Sequence, residues 1–473
     1  MRHEDTEHPG HDKSGRPKRR TVYDQHGTAH ILTGMLGEGG QGIVCTTERP
    51  NVLVKVQRQR LDPQALRERV RQINALLNLE LDGLHIARPQ ALIERPVPGY
   101  VMELMDGLEP LQRMLEKSHL ALIEGEGLDG YVATGGLGRR LALLRELART
   151  LAGLHARGLA YGDLSPANVF VSQSVGHHQL WLIDCDNLCV SERAGHGHVH
   201  TPGYGAPEVV RGESGVNSLS DAWAFAVIAF ELLTHAHPFK GMQVEDGEPE
   251  EEDRALRGEL PWVLHPEAGD NALAEPRLAG YVLTPALLAL FTACFDAGRD
   301  DPGTRPSPAA WADALDAAVA QTLTCTECAS SFHWNEAQEV QCCPFCDHEQ
   351  ALTLRLTHAW HCPEDFPDDP YLDSGDALVL GAQQPVTLHL APVGTRHYHE
   401  APAVCELRLA DDGLYIQPLG AGVPELVRPE DDRRVRFAFE KRLAAEKRRA
   451  IPLALHLSHP DAPDLRPVWR FTW

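Results

Sequence analysis

Three polar side chains able to do chemistry stand close together between residues 161 and 184 of this 473-residue chain. The text reads Tyr161-Gly162-Asp163-Leu164-Ser165-Pro166-Ala167-Asn168, then Val169-Phe170-Val171, and after a second apolar run at 179–183 it reaches Asp184. Asp163 and Asn168 lie five positions apart around a proline turn. Two short strands joined by a polar turn bring both carboxylates and the amide to one mouth. A carboxylate with an amide oxygen is a hard, oxygen-only ligand pair, suited to Mg²⁺ held against substrate phosphates. The second carboxylate is left to orient a hydroxyl nucleophile. Asp and Asn also cap turns, so the spacing alone leaves a plain polar loop equally open. What surrounds it decides.

Upstream, Leu36-Gly37-Glu38-Gly39-Gly40-Gln41-Gly42-Ile43-Val44 fits G-x-G-x-x-G-x-V through Gly37, Gly39, Gly42 and Val44. Glycines let a hairpin backbone approach phosphate oxygens without side-chain collision. In dinucleotide folds the same pattern leads into a helix, whereas here a β run at 43–46 follows, which favours a hairpin. Next, Val52-Leu53-Val54-Lys55-Val56 sets one lysine in an apolar strand. Such a lysine is either a snorkelling edge residue or a paired cation. The glycine loop favours the second, with Lys55 on the α- and β-phosphates. An amphipathic helix is expected over 63–79, with Leu66, Val70, Ile73 and Leu77 on one stripe. It offers Glu68 as partner for Lys55, with Glu80 as competitor.

Taken in order, these motifs resemble the glycine loop, strand lysine, catalytic loop and metal-binding triplet of protein kinases. Further motifs extend the resemblance to about residues 28–320. Tyr100-Val101-Met102-Glu103-Leu104-Met105-Asp106-Gly107 is similar to the last N-lobe strand and hinge, which implies adenine contacts from the backbones of Glu103 and Met105, between Val44 and Phe170. Thr201-Pro202-Gly203-Tyr204-Gly205-Ala206-Pro207-Glu208 resembles the substrate-side loop of serine/threonine kinases. Asp221 opens an apolar helix that ties down the catalytic loop in that family, and Arg305 matches the arginine that pairs with the loop's glutamate, here Glu208.

The resemblance implies an α+β, bilobal kinase-like fold with its N-lobe over 28–105 and C-lobe over 106–320. It also implies Mg²⁺-dependent transfer of the ATP γ-phosphate to a serine or threonine hydroxyl of a protein. Lys55, Asp163, Asn168 and Asp184 would be catalytic, with Asn168 and Asp184 on the metal. Gly37, Gly39, Gly42, Val44, Lys55, Glu68, Glu103, Met105 and Phe170 would bind the nucleotide. Departures from the pattern are Leu53 for a small residue, Tyr161 for His, Gly162 for Arg, Ser165 for Lys, and Asp184-Cys185-Asp186 for Asp-Phe-Gly. Absence of the arginine implies competence without a phosphate in the activation segment. Two other classes stay open: a nucleotide-binding pseudokinase scaffold and a small-molecule, aminoglycoside-type kinase. The latter shares the Gly162-Asp163…Asn168 core but lacks the Ala-Pro-Glu segment.

Beyond the kinase-like region, Cys325-Thr326-Glu327-Cys328 and Cys343-Pro344-Phe345-Cys346 form two C-x₂-C knuckles. Four thiolates at this spacing close a tetrahedron on Zn²⁺ and supply the core a short ribbon (321–352) lacks. Cys342 is a neighbouring alternative, and His333 and His348 are weaker ones. With no position left open, this metal is expected to be structural. Residues 361–473 carry short alternating runs at 377–380, 386–390, 404–409, 414–418, 435–439 and 453–457, the pattern of a β-sandwich and a candidate partner-binding module.

The remaining stretches set bounds. Residues 1–27 are expected to be a disordered tail, 123–138 a flexible Gly-rich insertion, 194–200 a mobile activation segment and 245–253 a solvated acidic loop. A net charge of −23 argues against nucleic acid or an anionic membrane as partner. No apolar run reaches the roughly 18–20 residues of a spanning helix, and no signal peptide is visible, so a cytoplasmic protein is expected. Kinase, zinc ribbon and β-rich tail together resemble bacterial kinases of tellurite-resistance-associated phosphorylation modules. That resemblance implies stress signalling with a cognate phosphatase and a von Willebrand A-type protein.

Overall fold

The computed structural model describes residues 20–39, 42–57, 61–95, 97–103, 107–124, 128–190, 200–274, 277–382, 384–391, 401–462 and 465–473. The expected hinge residue Met105, the stretch 194–199 and the first nineteen residues lie outside them.

Six antiparallel strands build the N-lobe: β1 (Arg20–Asp24), β2 (Ala29–Gly39), β3 (Gly42–Thr47), β4 (Val52–Val56), β5 (Pro89–Arg95) and β6 (Gly99–Glu103). They close in the order β1-β2-β3-β4-β6-β5. One helix, α1 (Pro63–Leu77), crosses them, started by Asp62, whose carboxylate accepts the Gln64 and Ala65 N–H groups. Strand β1 corrects the expected tail 1–27 from residue 20 onward. Its Val22 is buried among Val54, Ile93 and Val101, and Asp24 gathers the N–H groups of His26 and Thr28 and the ring of His30. A single buried valine in a short, otherwise polar strand is too weak a pattern to read from sequence.

The C-lobe opens with a short strand, β7 (Leu108–Pro110), and helices α2 (Leu111–Ile123), α3 (Asp129–Ala133) and α4 (Gly136–His155). The expected flexible insertion is thus helical where it is described. Tyr131 is buried, and the guanidinium of Arg140 stacks on its ring at 3.7 Å while donating to the carbonyls of Tyr131, Gly136 and Leu232. Strands β8 (Leu159–Ala160), β9 (Val169–Ser172), β10 (Leu180–Leu182) and β11 (Cys189–Val190) follow, with β10-β9-β7 and β11-β8 as the sheets. Helix α5 (Pro207–Val210) precedes α6 (Ser218–Thr234), which is mostly apolar and buried on nearly every side, as a central helix must be. The acidic stretch 245–253 is not a loop but spans α7 (Met242–Glu245) and α8 (Pro249–Leu256). One proline, Pro249, and three glutamates at the start of α8 suit its N-terminus. Helices α9 (Arg277–Val282), α10 (Pro285–Thr292), α11 (Gly298–Asp300) and α12 (Pro308–Ala320) complete the lobe.

Two small hairpins follow, β12 (Thr322–Thr324) with β13 (Ser331–His333), and β14 (Gln341–Cys342) with β15 (Glu349–Gln350). They rest on the C-lobe, where Gly138 N–H donates to Ser331 Oγ and the His333 ring bonds the Val282 carbonyl, both at 3.0 Å. The β-rich region then starts at Thr353 rather than 361. A six-stranded sheet holds β16 (Thr353–His361), β17 (Tyr371–Gly381), β21 (Glu425–Arg428), β22 (Arg433–Arg436), β24 (Pro452–His456) and β25 (Pro467–Thr472) in the order β17-β16-β25-β24-β21-β22. A four-stranded sheet holds β18 (Val386–His389), β19 (Ala403–Ala410), β20 (Gly413–Pro418) and β23 (Lys441–Ala444). Leu356 and Leu380 of the first share one core with Leu407 and Ile416 of the second, which makes this a sandwich. Among the described residues no helix is long and apolar enough to cross a membrane.

Candidate active site

The hairpin β2–β3 pairs Gly37 with Val44 and Gly39 with Gly42. Gly42 has φ +154°, and a Cβ there would stand 2.6 Å from the carbonyl oxygen of Val56 on β4. Only glycine permits that approach. Below the hairpin, Val44 and Phe170 belong to one apolar cluster with Leu53, Tyr100 and Met102, so the two expected adenine faces do converge, with the bulky Leu53 packed among them. Glu103 ends β6, exposed, and its carboxylate takes a hydrogen bond from Gln90.

Lys55 points from β4 into the cleft and is 4% exposed. A buried ammonium needs counter-ions. It has two: Asp184 Oδ1 at 2.6 Å and Asp186 Oδ2 at 2.7 Å. Glu68 is not among them. Its carboxylate is 75% exposed and meets Arg71 at 3.4 Å, because α1 turns Arg69, not Glu68, toward the cleft. Arg69 Nη2 reaches Asp186 Oδ2 at 2.7 Å, and Gln72 donates to the Asp186 carbonyl at 2.8 Å. Burial pushes the Asp184 carboxyl above its ordinary range, against the pull of Lys55.

The catalytic loop hangs from α6. Asp221, 2% exposed, accepts the N–H groups of Tyr161 at 2.6 Å and Gly162 at 2.9 Å, and the His155 ring at 3.0 Å. Gly162 has φ +87° and a Cβ there would lie 2.7 Å from the Asn187 carbonyl oxygen, which accounts for glycine where kinases carry arginine. Asn168 Nδ2 donates to the Asp163 carbonyl at 2.9 Å, so its amide oxygen is left as a ligand atom. The Asn168 carbonyl accepts Ile183 N–H at 3.0 Å, and the Tyr161 hydroxyl donates to the Ile183 carbonyl, tying the loop to the Asp184 turn. Asp184 itself sits at φ +64°. The Asp163 carboxylate accepts the Thr201 hydroxyl at 2.9 Å and faces Asn187 Nδ2 at 3.5 Å. Ser165 is buried and does not extend into the cleft as a lysine would.

On the substrate side, Arg305 grips Glu208 with both Nη atoms, at 2.8 and 2.7 Å, and stacks over Trp223 at 4.9 Å. Lys55, Asp163, Asn168 and Asp184 are therefore brought together, and Glu68 is not. Asp186, Arg69, Gln72 and the Thr201 hydroxyl were missed as site residues. The usable signal was an acidic residue in place of the triplet's glycine.

Beyond the kinase-like region of the chain, the sulfurs of Cys325, Cys328, Cys343 and Cys346 all lie within 4.8 Å of one another. Cys325–Cys346 and Cys328–Cys343 are 3.6 and 3.7 Å apart, too long for disulfides and close to the ~3.8 Å edge of a tetrahedron built on Zn–S bonds of about 2.3 Å. Cys342 turns instead to the Asp347 carbonyl, His333 to Val282 and His348 to Thr326.

A family model for the protein kinase domain matches residues 31–308. Among similar proteins, serine/threonine-protein kinase pkn2 of Myxococcus xanthus is 29% identical over 220 residues, covering 44% of this chain and 24% of that protein. Serine/threonine-protein kinase PkaA of Streptomyces coelicolor is 26% identical over 302 residues, covering 59% and 48%. Human ribosomal protein S6 kinase alpha-3 is 34% identical over 128 residues, covering 26% and 16%. The chain spans less than half the length of each of these relatives. The family match takes in more than half of the chain and every cleft residue named above, and the chain belongs to the protein kinase family.

Proposed function

We propose that the chain is an ATP- and Mg²⁺-dependent serine/threonine protein kinase. The observation that carries this reading is the Thr201 hydroxyl on the Asp163 carboxylate at 2.9 Å. It sets a segment anchored by Glu208–Arg305 beside the group that would orient an acceptor. Such a shelf suits an extended peptide better than a small molecule.

Lys55 draws the α- and β-phosphates under the glycine hairpin, whose glycines would let backbone N–H groups approach them. Asp163 accepts the hydrogen bond of the acceptor hydroxyl and takes its proton. The new oxygen–phosphorus bond forms at the γ-phosphorus as the bond to the β-phosphate oxygen breaks, and ADP departs. The Asn168 amide oxygen and the Asp184 carboxylate form the hard donor set that suits Mg²⁺, which neutralises charge on the β- and γ-phosphates when bound. Positioning and electrostatics supply most of such a rate enhancement. The same reading gives Zn²⁺ to Cys325, Cys328, Cys343 and Cys346 as a structural ion. A place in a tellurite-resistance-associated stress module, with a cognate phosphatase and a von Willebrand A-type partner, rests on domain order alone. Co-purification from a bacterium encoding all three tests it.

The deciding experiment incubates the purified full chain with γ-labelled ATP and Mg²⁺, beside Asp163→Ala and Asp184→Ala. Label on serine or threonine of protein that vanishes in both variants is the expected result. Binding of ATP without turnover would replace this reading with a pseudokinase scaffold. ATP consumed with no protein labelled would replace it with a small-molecule kinase.

A further inference from the structure

The counter-ion arrangement around Lys55 is unlike a simple lysine–glutamate pair between strand and helix. In protein kinases that pair is a condition of activity. Here α1 presents a cation, Arg69, whose side chain is 12% exposed, while Glu68 faces solvent. Two cations facing each other in a buried cleft repel unless an anion stands between them. Asp186 is that anion. Its side chain is fully buried, and one oxygen, Oδ2, receives both Lys55 Nζ and Arg69 Nη2 at 2.7 Å. Its backbone is held as well, since its carbonyl accepts Gln72 Nε2 at 2.8 Å and its N–H reaches Asp184 Oδ1 at 3.3 Å.

We propose that Asp186 is the positioning residue for Lys55, replacing the helix glutamate, and that Arg69 holds Asp186 in place. This deepens the kinase reading and rests on it. Three elements meet at one carboxylate: β4 through Lys55, α1 through Arg69 and Gln72, and the metal-binding turn through the backbone of Asp186. When phosphates draw Lys55 away from Asp184, Asp186 remains to aim it. A shift of α1 therefore acts directly on the turn that carries Asp184, with no glutamate as intermediary.

The test compares the full chain with Asp186→Asn, Glu68→Gln and the charge exchange Arg69→Glu/Asp186→Gly. It measures kcat, KM for ATP, thermal melting, and calorimetric binding of a non-hydrolysable ATP analogue with Mg²⁺. Asp186→Asn is expected to lower kcat/KM by about 10²-fold, the usual order for removing one aimed electrostatic group, and to weaken analogue binding. Glu68→Gln is expected to stay within twofold of wild type. The charge exchange, which returns the carboxylate to the helix, is expected to recover at least tenfold over Asp186→Asn. A merely structural role would not produce that recovery.

Wild type without turnover would sink the kinase reading itself. Active wild type with Asp186→Asn within twofold of it overturns the inference. So does a loss in Glu68→Gln as deep as that in Asp186→Asn. A charge exchange that melts like wild type yet recovers nothing also overturns it.

Discussion

Replacing Asp221 with alanine removes the anchor of the catalytic loop, and the cost follows from its partners. The carboxylate accepts two buried backbone N–H groups, from Tyr161 and Gly162, and the ring of His155. Alanine leaves both N–H groups unpaired inside the protein, at about 1–3 kcal/mol each. His155 lies nearer the surface and turns to water. The sum is roughly 4 kcal/mol. In a domain of this size each kcal/mol moves the melting temperature by about 2–4 °C, so the kinase transition should fall by roughly 10 °C in scanning calorimetry. Asparagine keeps one carbonyl oxygen and should lose about half as much. Asp163 follows Gly162 directly, so kcat should fall with stability in both variants, in the order alanine below asparagine. An alanine variant melting within about 2 °C of wild type would refute the argument that Asp221 holds this loop.

Gly42→Ala forces a Cβ to 2.6 Å from the Val56 carbonyl at φ +154°. Strain of ~1.4 kcal/mol between β3 and β4 should raise KM for ATP about tenfold in steady-state kinetics with kcat little changed. Elemental analysis should find one zinc per chain. Cys343→Ser should abolish it and make 321–352 the first site of limited proteolysis. Burial pushes the Glu231 carboxyl up to about 7, against the hydrogen bond it accepts from Tyr204 at 2.8 Å. The folded protein then binds the extra proton between the ordinary value of 4.5 and about 7, so this group lowers stability as pH rises through that window and adds no further slope above it. Glu231→Gln should remove that slope, and melting curves from pH 4 to 8 should show the variant gaining on wild type as pH rises.

Much of the fold was legible because each motif carries a local physical signature. The glycine pattern before a β run demands a hairpin, and Gly42 meets the backbone of β4 at a distance no side chain tolerates. Helix α6 reads as central because its run from Ala222 to Phe230 is apolar without a break. Elements that depend on one or two tertiary contacts were not legible. Val22 is the buried apolar residue of β1, and the rest of the strand is held by its pairing with β2 and β5. Tyr131 orders the glycine-rich stretch because Arg140, near the start of α4, stacks on it and takes up its carbonyl. The acidic run at 245–253 satisfies both a solvated loop and a helix N-terminus, and only contacts with Lys240 and Gln243 distinguish them.

The active site shows the same limit in a sharper form. Lys55, Asp163, Asn168 and Asp184 are readable as a group because their types and spacing mark them out, and the structure brings them to one cleft. The partner of Lys55 is not, because helical phase decides it. Glu68 and Arg69 are adjacent, about 100° apart around α1, and either turns inward depending on how the helix is rotated. The buried stripe settles the phase. Ile73 and Leu76 are the buried residues of α1, and Arg69 lies four before Ile73 on the same face, whereas Glu68 does not. An inward arginine beside an inward lysine is untenable without a carboxylate between them. The chain supplies one at Asp186, in the triplet position where kinases carry glycine. Arginine at 69 and aspartate at 186 each look like a defect alone. Together they are consistent: the carboxylate between the two cations comes from the turn that carries Asp184, while the helix glutamate faces solvent.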